Sequence, residues 1–302
     1  MSEIFEKNLQ EILDAEQYYI KESMSKHTTF RVGGPAEYYV RPSRKQIKSV
    51  LKLCKQFEIP WMIIGNGSNL LVGDKGIQGV VIELGKMADT ITVKENCVIA
   101  EAGALLSVVA KYAASHRLTG MEFASGIPGS IGGAVVMNAG AYGGEIKQIL
   151  KRVTVLTEEG EEKELSLEEL DFGYRYSCIS NKNYIVLEAE LQLEKGDLQE
   201  IEQKMTKLRE QRIAKQPLEY PSAGSTFKRP QGYFAGKLIQ DAGLRGYQVG
   251  GAQISEKHCG FVINKEQATA SDIRQLISDV QDKVEKQFCV RLEPEVKFIG
   301  EF

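Results

Sequence analysis

The sequence predicts an α+β protein: a two-lobed N-terminal region without Rossmann topology, then a separate C-terminal α+β lobe. Three observations point to this. Short β-branched runs alternate with amphipathic helical spacing, but in no regular strand-helix order. The stretch 126–144 is too rich in glycine for ordinary helix or strand and carries an apolar middle that no flexible linker has, while 65–71 opens as a Gly/Asn/Ser loop after a strand. Pro217 and Pro221 end a charged helix and mark a boundary. The expected segments are 1–85 and 86–210 for the two lobes and 211–302 for the C-terminal lobe.

Each element has a local cause. Ile4, Phe5, Leu9, Ile12 and Leu13 recur at helical spacing among acids, so 3–17 is expected to be an amphipathic helix. Gly33-Gly34-Pro35 is a turn signal leading into an alternating strand at 36–40. Ser43 stands as the cap of a helix reaching about Phe57, with Ile47, Val50, Leu51 and Leu53 inward. Pro60 then resets the chain before a buried strand at 61–64. Strands follow at 79–84, 90–93 and 97–101, then a helix from Leu105 to about His116. Residues 149–157 with the turn 158–160 open a hairpin, and 184–193 is a strand. A helix over 198–214 carries Ile201, Met205, Leu208 and Ile213 on one face. The last lobe should hold a helix at 234–242, strands near 252–254 and 260–263, a helix from a Ser271 cap to Gln287, and a strand after Pro294.

Composition narrows the function. The 302 residues are 42% hydrophobic with a net charge of -3, which leaves no basic field for nucleic acid or an anionic membrane. Five scattered cysteines without CxxC spacing imply reduced thiols and a cytoplasmic setting, and three distant histidines imply no metal site. The N-terminus has no apolar leader, and no apolar run approaches a membrane span.

The glycine stretches are the candidate ligand bed. Gly65, Asn66, Gly67, Ser68, Asn69 and Leu70 follow a buried strand and offer backbone amides to a pyrophosphate. This is no Rossmann fingerprint, because Leu70 stands where the third glycine belongs, and no Walker lysine is present. In the longer stretch, Gly126, Pro128, Gly129, Ser130, Gly132, Gly133, Ala134, Asn138, Ala139 and Gly140 combine an amide-rich loop with small side chains that leave room for a flat ring. Arg31, Val32 and Gly33 form a third turn. Either loop alone is also compatible with a tight crossing of core backbones. Together they suit a dinucleotide, which needs one grip on its pyrophosphate and another along its rings, and 27–195 is read as a flavin-type site.

Three further residues stand out. Arg175, bracketed by Tyr174 and Tyr176, is suited to a bidentate grip on a carboxylate, or to a purely structural cation–π stack. Ser225 follows a glycine and precedes Lys228-Arg229, without a nucleophile elbow or a histidine partner. Glu295 follows a proline at a strand start, a placement that aims it into a cleft or leaves it at the surface.

The stretches THTTFRVGGPAEYY, IIGNGSNLLV, GIPGSIGGAVVMNAGAYGG, YRYS, PSAGSTFKRP and RLEPEV, in register from about residue 20 to the end, resemble the UDP-N-acetylenolpyruvoylglucosamine reductase family. The short link after YRYS is similar to its compact subclass, which lacks a tyrosine-bearing loop. The resemblance implies a PCMH-type FAD-binding region, FAD as cofactor, and NADPH-driven reduction of UDP-N-acetylglucosamine enolpyruvate in peptidoglycan precursor synthesis by a cytoplasmic monomer. It implies Arg175, Ser225 and Glu295 as catalytic, with Tyr142, Lys215, Lys228 and Arg229 against the substrate. Arg229 replaces an asparagine common in the family. Another FAD oxidoreductase, such as a sugar-lactone or alcohol oxidase, and a non-catalytic nucleotide-binding module are the rival readings.

Overall fold

A computed structural model describes residues 2–302. The chain divides into two compact units, neither of them one continuous segment. The first comprises 2–19, Tyr39–Asn66 and Val80–Arg212; the second comprises Ile20–Tyr38, Gly67–Gly79 and Ile213–Phe302. The division thus differs from three consecutive segments: 20–38 and 67–79, expected in the N-terminal lobe, cluster with the C-terminal chain. The strands Tyr18–Ser23, Pro35–Val40 and Ile77–Glu83 change unit along their length.

In the first unit, helix Ser2–Ile12 sets Phe5 and Leu9 against helix Arg44–Gln56, whose Ile47, Val50, Leu53 and Cys54 are buried. The first helix stops five residues short of the expected Gln17, whose side chain instead donates to Arg41 C=O at 3.1 Å. Ser43 caps the second helix as expected, its N–H donating to Gln46 Oε1 at 2.9 Å. Strand Trp61–Ile64 then pairs in parallel with Ile77–Glu83, Trp61 opposite Val80.

The larger sheet of this unit is antiparallel, in the order Glu162–Ser166, Leu150–Leu156, Ile185–Gln192, Cys97–Glu101, Ile91–Lys94. Val153, Val155, Ala189, Leu191, Val98 and Ala100 are buried in it, the outcome of β-branched and small residues on a pleated surface. Helices Leu106–Ser115 and Ile131–Val136 pack near it. The latter corrects the expectation that the glycine bed holds no helix: Gly132 and Gly133 lie inside one. Gly132 lets that helix approach closely, since a Cβ there would stand 3.0 Å from Ala102 Cβ. Helix Leu198–Lys215 forms as expected, but its predicted apolar face does not bury as a unit: Ile201 is buried and Ile213 exposed.

Glu190, 8% exposed in this sheet, receives Lys151 Nζ at 2.8 Å and Arg152 Nε at 2.5 Å. Burial alone would raise its carboxyl; the two cations outweigh that and bring it down to about 2. A value depressed in the folded state means stabilisation that is present above the ordinary carboxylate range and lost as pH falls toward 2. Both cations are half exposed to water, which discounts the pair, so Glu190→Gln should cost about 1–3 kcal/mol at pH 7. Melting temperatures of variant and parent should converge as pH is lowered from 5 to 2; a constant gap would reject the assignment.

The second unit packs Phe30, Val32 and Leu71 with Phe227, Leu238, Ile254, Val262, Ile273, Leu276, Val280 and Val296 in one core. Its three-stranded sheet runs Gln248–Val249, Ala252–Ile254, Val262–Asn264, with helix Ala270–Phe288 against it. Thr269, not Ser271, caps that helix: its Oγ1 accepts Asp272 N–H at 3.0 Å. Ser271 serves elsewhere, its N–H and Oγ donating to Asp74 at 2.8 and 2.6 Å. Strand Leu70–Val72 pairs in parallel with Lys297–Ile299, Leu70 opposite Lys297. No described helix is long and apolar enough to cross a membrane.

Candidate active site

In the first unit the two glycine stretches meet. Asn66 Nδ2 donates to Pro128 C=O at 2.8 Å, and a Cβ on Gly65 would meet Ser130 Oγ, so a larger residue there would have to turn that hydroxyl aside. Ser130, 2% exposed, begins helix Ile131–Val136, and its Oγ is buried with no partner among the described residues. An orphaned buried hydroxyl costs about 1–3 kcal/mol, which a ligand oxygen recovers. Gly126, Pro128 and Gly133 are exposed around it and Gly129 and Gly140 half exposed, while Gly132, Ala134 and Ala139 are buried beneath.

The Asn138 side chain bonds within the protein. Fully buried at φ +44, it donates from Nδ2 to Glu145 Oε2 at 2.8 Å and to Gly173 C=O at 3.1 Å, and accepts Lys147 N–H at 3.0 Å. It thereby locks the bed to the turn that carries Arg175. That turn closes through Gly173 N–H to Tyr176 C=O at 3.0 Å, with Arg175 at φ +55. Arg175 Nη2 donates to Gly140 C=O at 3.2 Å, so the predicted arginine lies at the bed. Only half of its expected bracket forms: the guanidinium lies 5.1 Å from the Tyr174 ring centroid, whereas the Tyr176 hydroxyl accepts from Asn181. Tyr142 is exposed at φ +53 in the turn between 140–141 and 144–145.

Arg212 was not foreseen. Its guanidinium is half buried against Gly126, 3.3 Å from where a Cβ would stand, and among the described residues no carboxylate pairs with it. Burial lowers its pKa, with the Tyr142 hydroxyl acting in the opposite sense. A cation held out of water beside a glycine loop is an anion-seeking group. In the sequence it is one arginine among the many charges of a charged helix, and nothing local marks it.

In the second unit, Gly67 at φ +60 lies against the 27–29 segment, and Thr29 N–H donates to Gly67 C=O at 3.3 Å. Thr29 Oγ1 is a second buried hydroxyl without a partner. Arg31 is exposed at φ +56, and Val32 points into the core, so that residue has only its backbone to offer a ligand. Gly33 at φ +128 passes close to Val72. Ser68 is half buried, and Asn69 and Leu70 join strand Lys297–Ile299 and the residues before it.

Ser225 and Glu295, seventy positions apart, become neighbours in this unit. Glu295 N–H donates to Thr226 C=O at 2.8 Å, Lys228 N–H to Glu293 C=O at 2.8 Å, and Phe227 bridges Pro294. Thr226 is buried, its N–H donating to Gly260 C=O at 2.9 Å and its Oγ1 accepting Val262 N–H at 3.0 Å. That anchor leaves Ser225 exposed on a turn that Gly224 enters at φ +75. Lys228 is ion-paired to Glu293, Arg229 lies over the Phe234 ring at 4.0 Å, and Lys215 is exposed.

Two family models match the chain. One described as "FAD binding domain" covers residues 35–166, and one described as "UDP-N-acetylenolpyruvoylglucosamine reductase, C-terminal domain" covers 216–299. The UDP-N-acetylenolpyruvoylglucosamine reductase of Agathobacter rectalis is 56% identical over the full length of both chains. The chain belongs to the UDP-N-acetylenolpyruvoylglucosamine reductase family. The reductase of Caldanaerobacter subterraneus subsp. tengcongensis is 51% identical, again over the whole of both. The crystal structure of the Thermus caldophilus reductase superimposes with a TM-score of 0.79 at 36% identity, covering 93% of this chain and 98% of that one.

As a member of this reductase family the chain takes FAD, and its residues fit that group. The first unit presents the buried Ser130 hydroxyl beside Gly65 and the second the buried Thr29 hydroxyl beside Gly67, neither with a partner among the described residues. Such hydroxyls suit phosphate oxygens.

Proposed function

We infer that this protein reduces the enolpyruvyl group of UDP-N-acetylglucosamine enolpyruvate to give UDP-N-acetylmuramate, using NADPH and FAD, in peptidoglycan precursor synthesis. Full-length identity of 56% to a reductase of that name carries the reading. Residues from about 211 onward act as the substrate-binding lobe, and Arg175, Ser225 and Glu295 as the catalytic set.

When bound, FAD would supply the hydride-transfer chemistry between NADPH and C3 of the enolpyruvyl double bond. The protein supplies charge and a proton. Arg175, held by the Gly140 carbonyl and the Tyr174 ring, meets the substrate carboxylate into which negative charge spreads as C3 is reduced. A fixed cation needs no reorganisation as that charge grows. Ser225 donates its hydroxyl proton to C2, whose carbanion character makes it basic enough to accept from a weak acid. Glu295, tied through Thr226 to the segment that carries Ser225, faces the carboxylate in its protonated form or through water. Arg212 offers a further grip for an anionic group of the substrate. Lys215 and Arg229 are proposed for its phosphates and base.

The test is the purified protein itself. It should be yellow, bleach with NADPH under anaerobic conditions, and regain colour on mixing with UDP-N-acetylglucosamine enolpyruvate. Reoxidation by oxygen but not by that substrate would reject the reading. Arg175→Ala should depress substrate-driven reoxidation by about 10²-fold or more, with FAD content retained. Loss of flavin instead would make Arg175 structural.

A further inference from the structure

We propose that Asn69 is a positioning residue for Glu295: its side-chain amide fixes the backbone from which the carboxylate projects. The inference rests on Glu295 being catalytic. Sequence spacing places Asn69 among the cofactor-loop residues, but its hydrogen bonds point elsewhere. Asn69 Nδ2 donates to Glu295 C=O at 3.0 Å, and Asn69 C=O accepts Lys297 N–H at 2.9 Å. These two bonds bracket Val296, which is 2% exposed in the core.

On its other side Glu295 gives its N–H to Thr226 C=O at 2.8 Å, next to Ser225. Both peptide planes flanking the Glu295 Cα are therefore held, one by the Ser225 segment and one by Asn69. Fixing both planes fixes the direction of Cα–Cβ, and with it the region the carboxylate reaches. The parallel ladder begins at Leu70 opposite Lys297, so the Glu295 carbonyl lies before its first paired residue. A side-chain donor one residue before the strand supplies the bond. Alanine has no donor there, and aspartate keeps the shape but only accepts.

A simple strand-end brace would stabilise the unit without touching catalysis, and the two roles separate in kinetics. With holoenzyme, Asn69→Ala and Asn69→Asp should each lower kcat by about 10–100-fold, the scale for a reacting group displaced by up to 1 Å. KM for the enolpyruvyl substrate should move by no more than about two-fold, since an interaction acting only in the transition state leaves KM alone. FAD per chain should equal that of the parent. Amide exchange across 293–297 should quicken. In the Glu295→Gln background, Asn69→Ala should add no further loss.

Additive losses in the double variant, a fall in kcat accounted for by missing FAD, or unchanged exchange at 293–297 would each overturn the proposal. A Glu295→Gln enzyme that turns over like the parent would sink the catalytic reading of Glu295 and the positioning role with it. Exchange at 293–297 would then show separately whether the clamp itself exists.

Discussion

Ser225→Ala is expected to slow reoxidation of the reduced enzyme by UDP-N-acetylglucosamine enolpyruvate by about 10²–10⁴-fold, the usual worth of a positioned proton donor. Reduction by NADPH should proceed as in the parent, because no proton to C2 is involved in it. Ser225 is exposed, while its neighbours Ala223 and Thr226 are buried and anchor the turn. Losing one exposed hydroxyl should change stability by no more than about 0.5 kcal/mol, so a rate effect reports on chemistry rather than folding. Ser225→Cys, which keeps a donor at nearly the same place, should recover part of the rate. Stopped-flow traces of flavin absorbance after substrate addition decide the matter. Parental traces for Ser225→Ala would remove this residue from the mechanism and leave water as the proton source.

Gly67→Ala is expected to damage both the stability of the second unit and its hold on FAD. Gly67 stands at φ +60, and an added Cβ would meet the His27 carbonyl oxygen and the Thr28 Cα. A backbone oxygen cannot rotate away as a side chain can. Left-handed strain and the collision together should cost about 2–4 kcal/mol. The Thr29 N–H bond to Gly67 C=O should break with it, moving the partnerless Thr29 hydroxyl and lowering FAD affinity. Gly232 is the control: it also has positive φ, +78, but nothing lies within 4 Å of its would-be Cβ. Gly232→Ala should therefore cost only the conformational strain, about 1 kcal/mol. Apoprotein melting temperature and flavin absorbance per chain measure both effects. Equal behaviour of the two variants would show that the His27 collision is not what matters.

Much of the site could be read from residue types. Glycines at 65, 67 and 132 marked places of close approach, to a ligand or between core backbones, and the structure has Gly65 against Ser130, Gly67 against His27 and Gly132 against Ala102. The Ser43 cap and the hairpin at 158–160 were equally local, and both stand. Misreadings arose where several local signals agreed equally well. Thr269 and Ser271 are both capping types two residues apart, and the acid that claims Ser271, Asp74, lies nearly two hundred positions away. Residue type also leaves open which bonds an asparagine makes: Asn138 gives its amide to the Glu145 carboxylate and the Gly173 carbonyl, and Asn69 gives one bond to the Glu295 carbonyl. Arg212 is the converse, a surface-type residue made anion-seeking by burial that no periodicity reveals.

The amino-acid order by itself determined the α+β class, most of the helices and strands, the two amide-rich loops and the candidate arginine, serine and glutamate. Each of these follows from backbone preference or side-chain chemistry within a few residues. Tertiary structure alone decided which hydroxyls lose water, which protein groups the asparagine side chains bond, and that Glu295 stands beside Ser225. A three-residue strand such as Leu70–Val72 has too few side chains to specify its partner. Burial of Leu71 and Val296 in one core selects Lys297–Ile299 from every alternative.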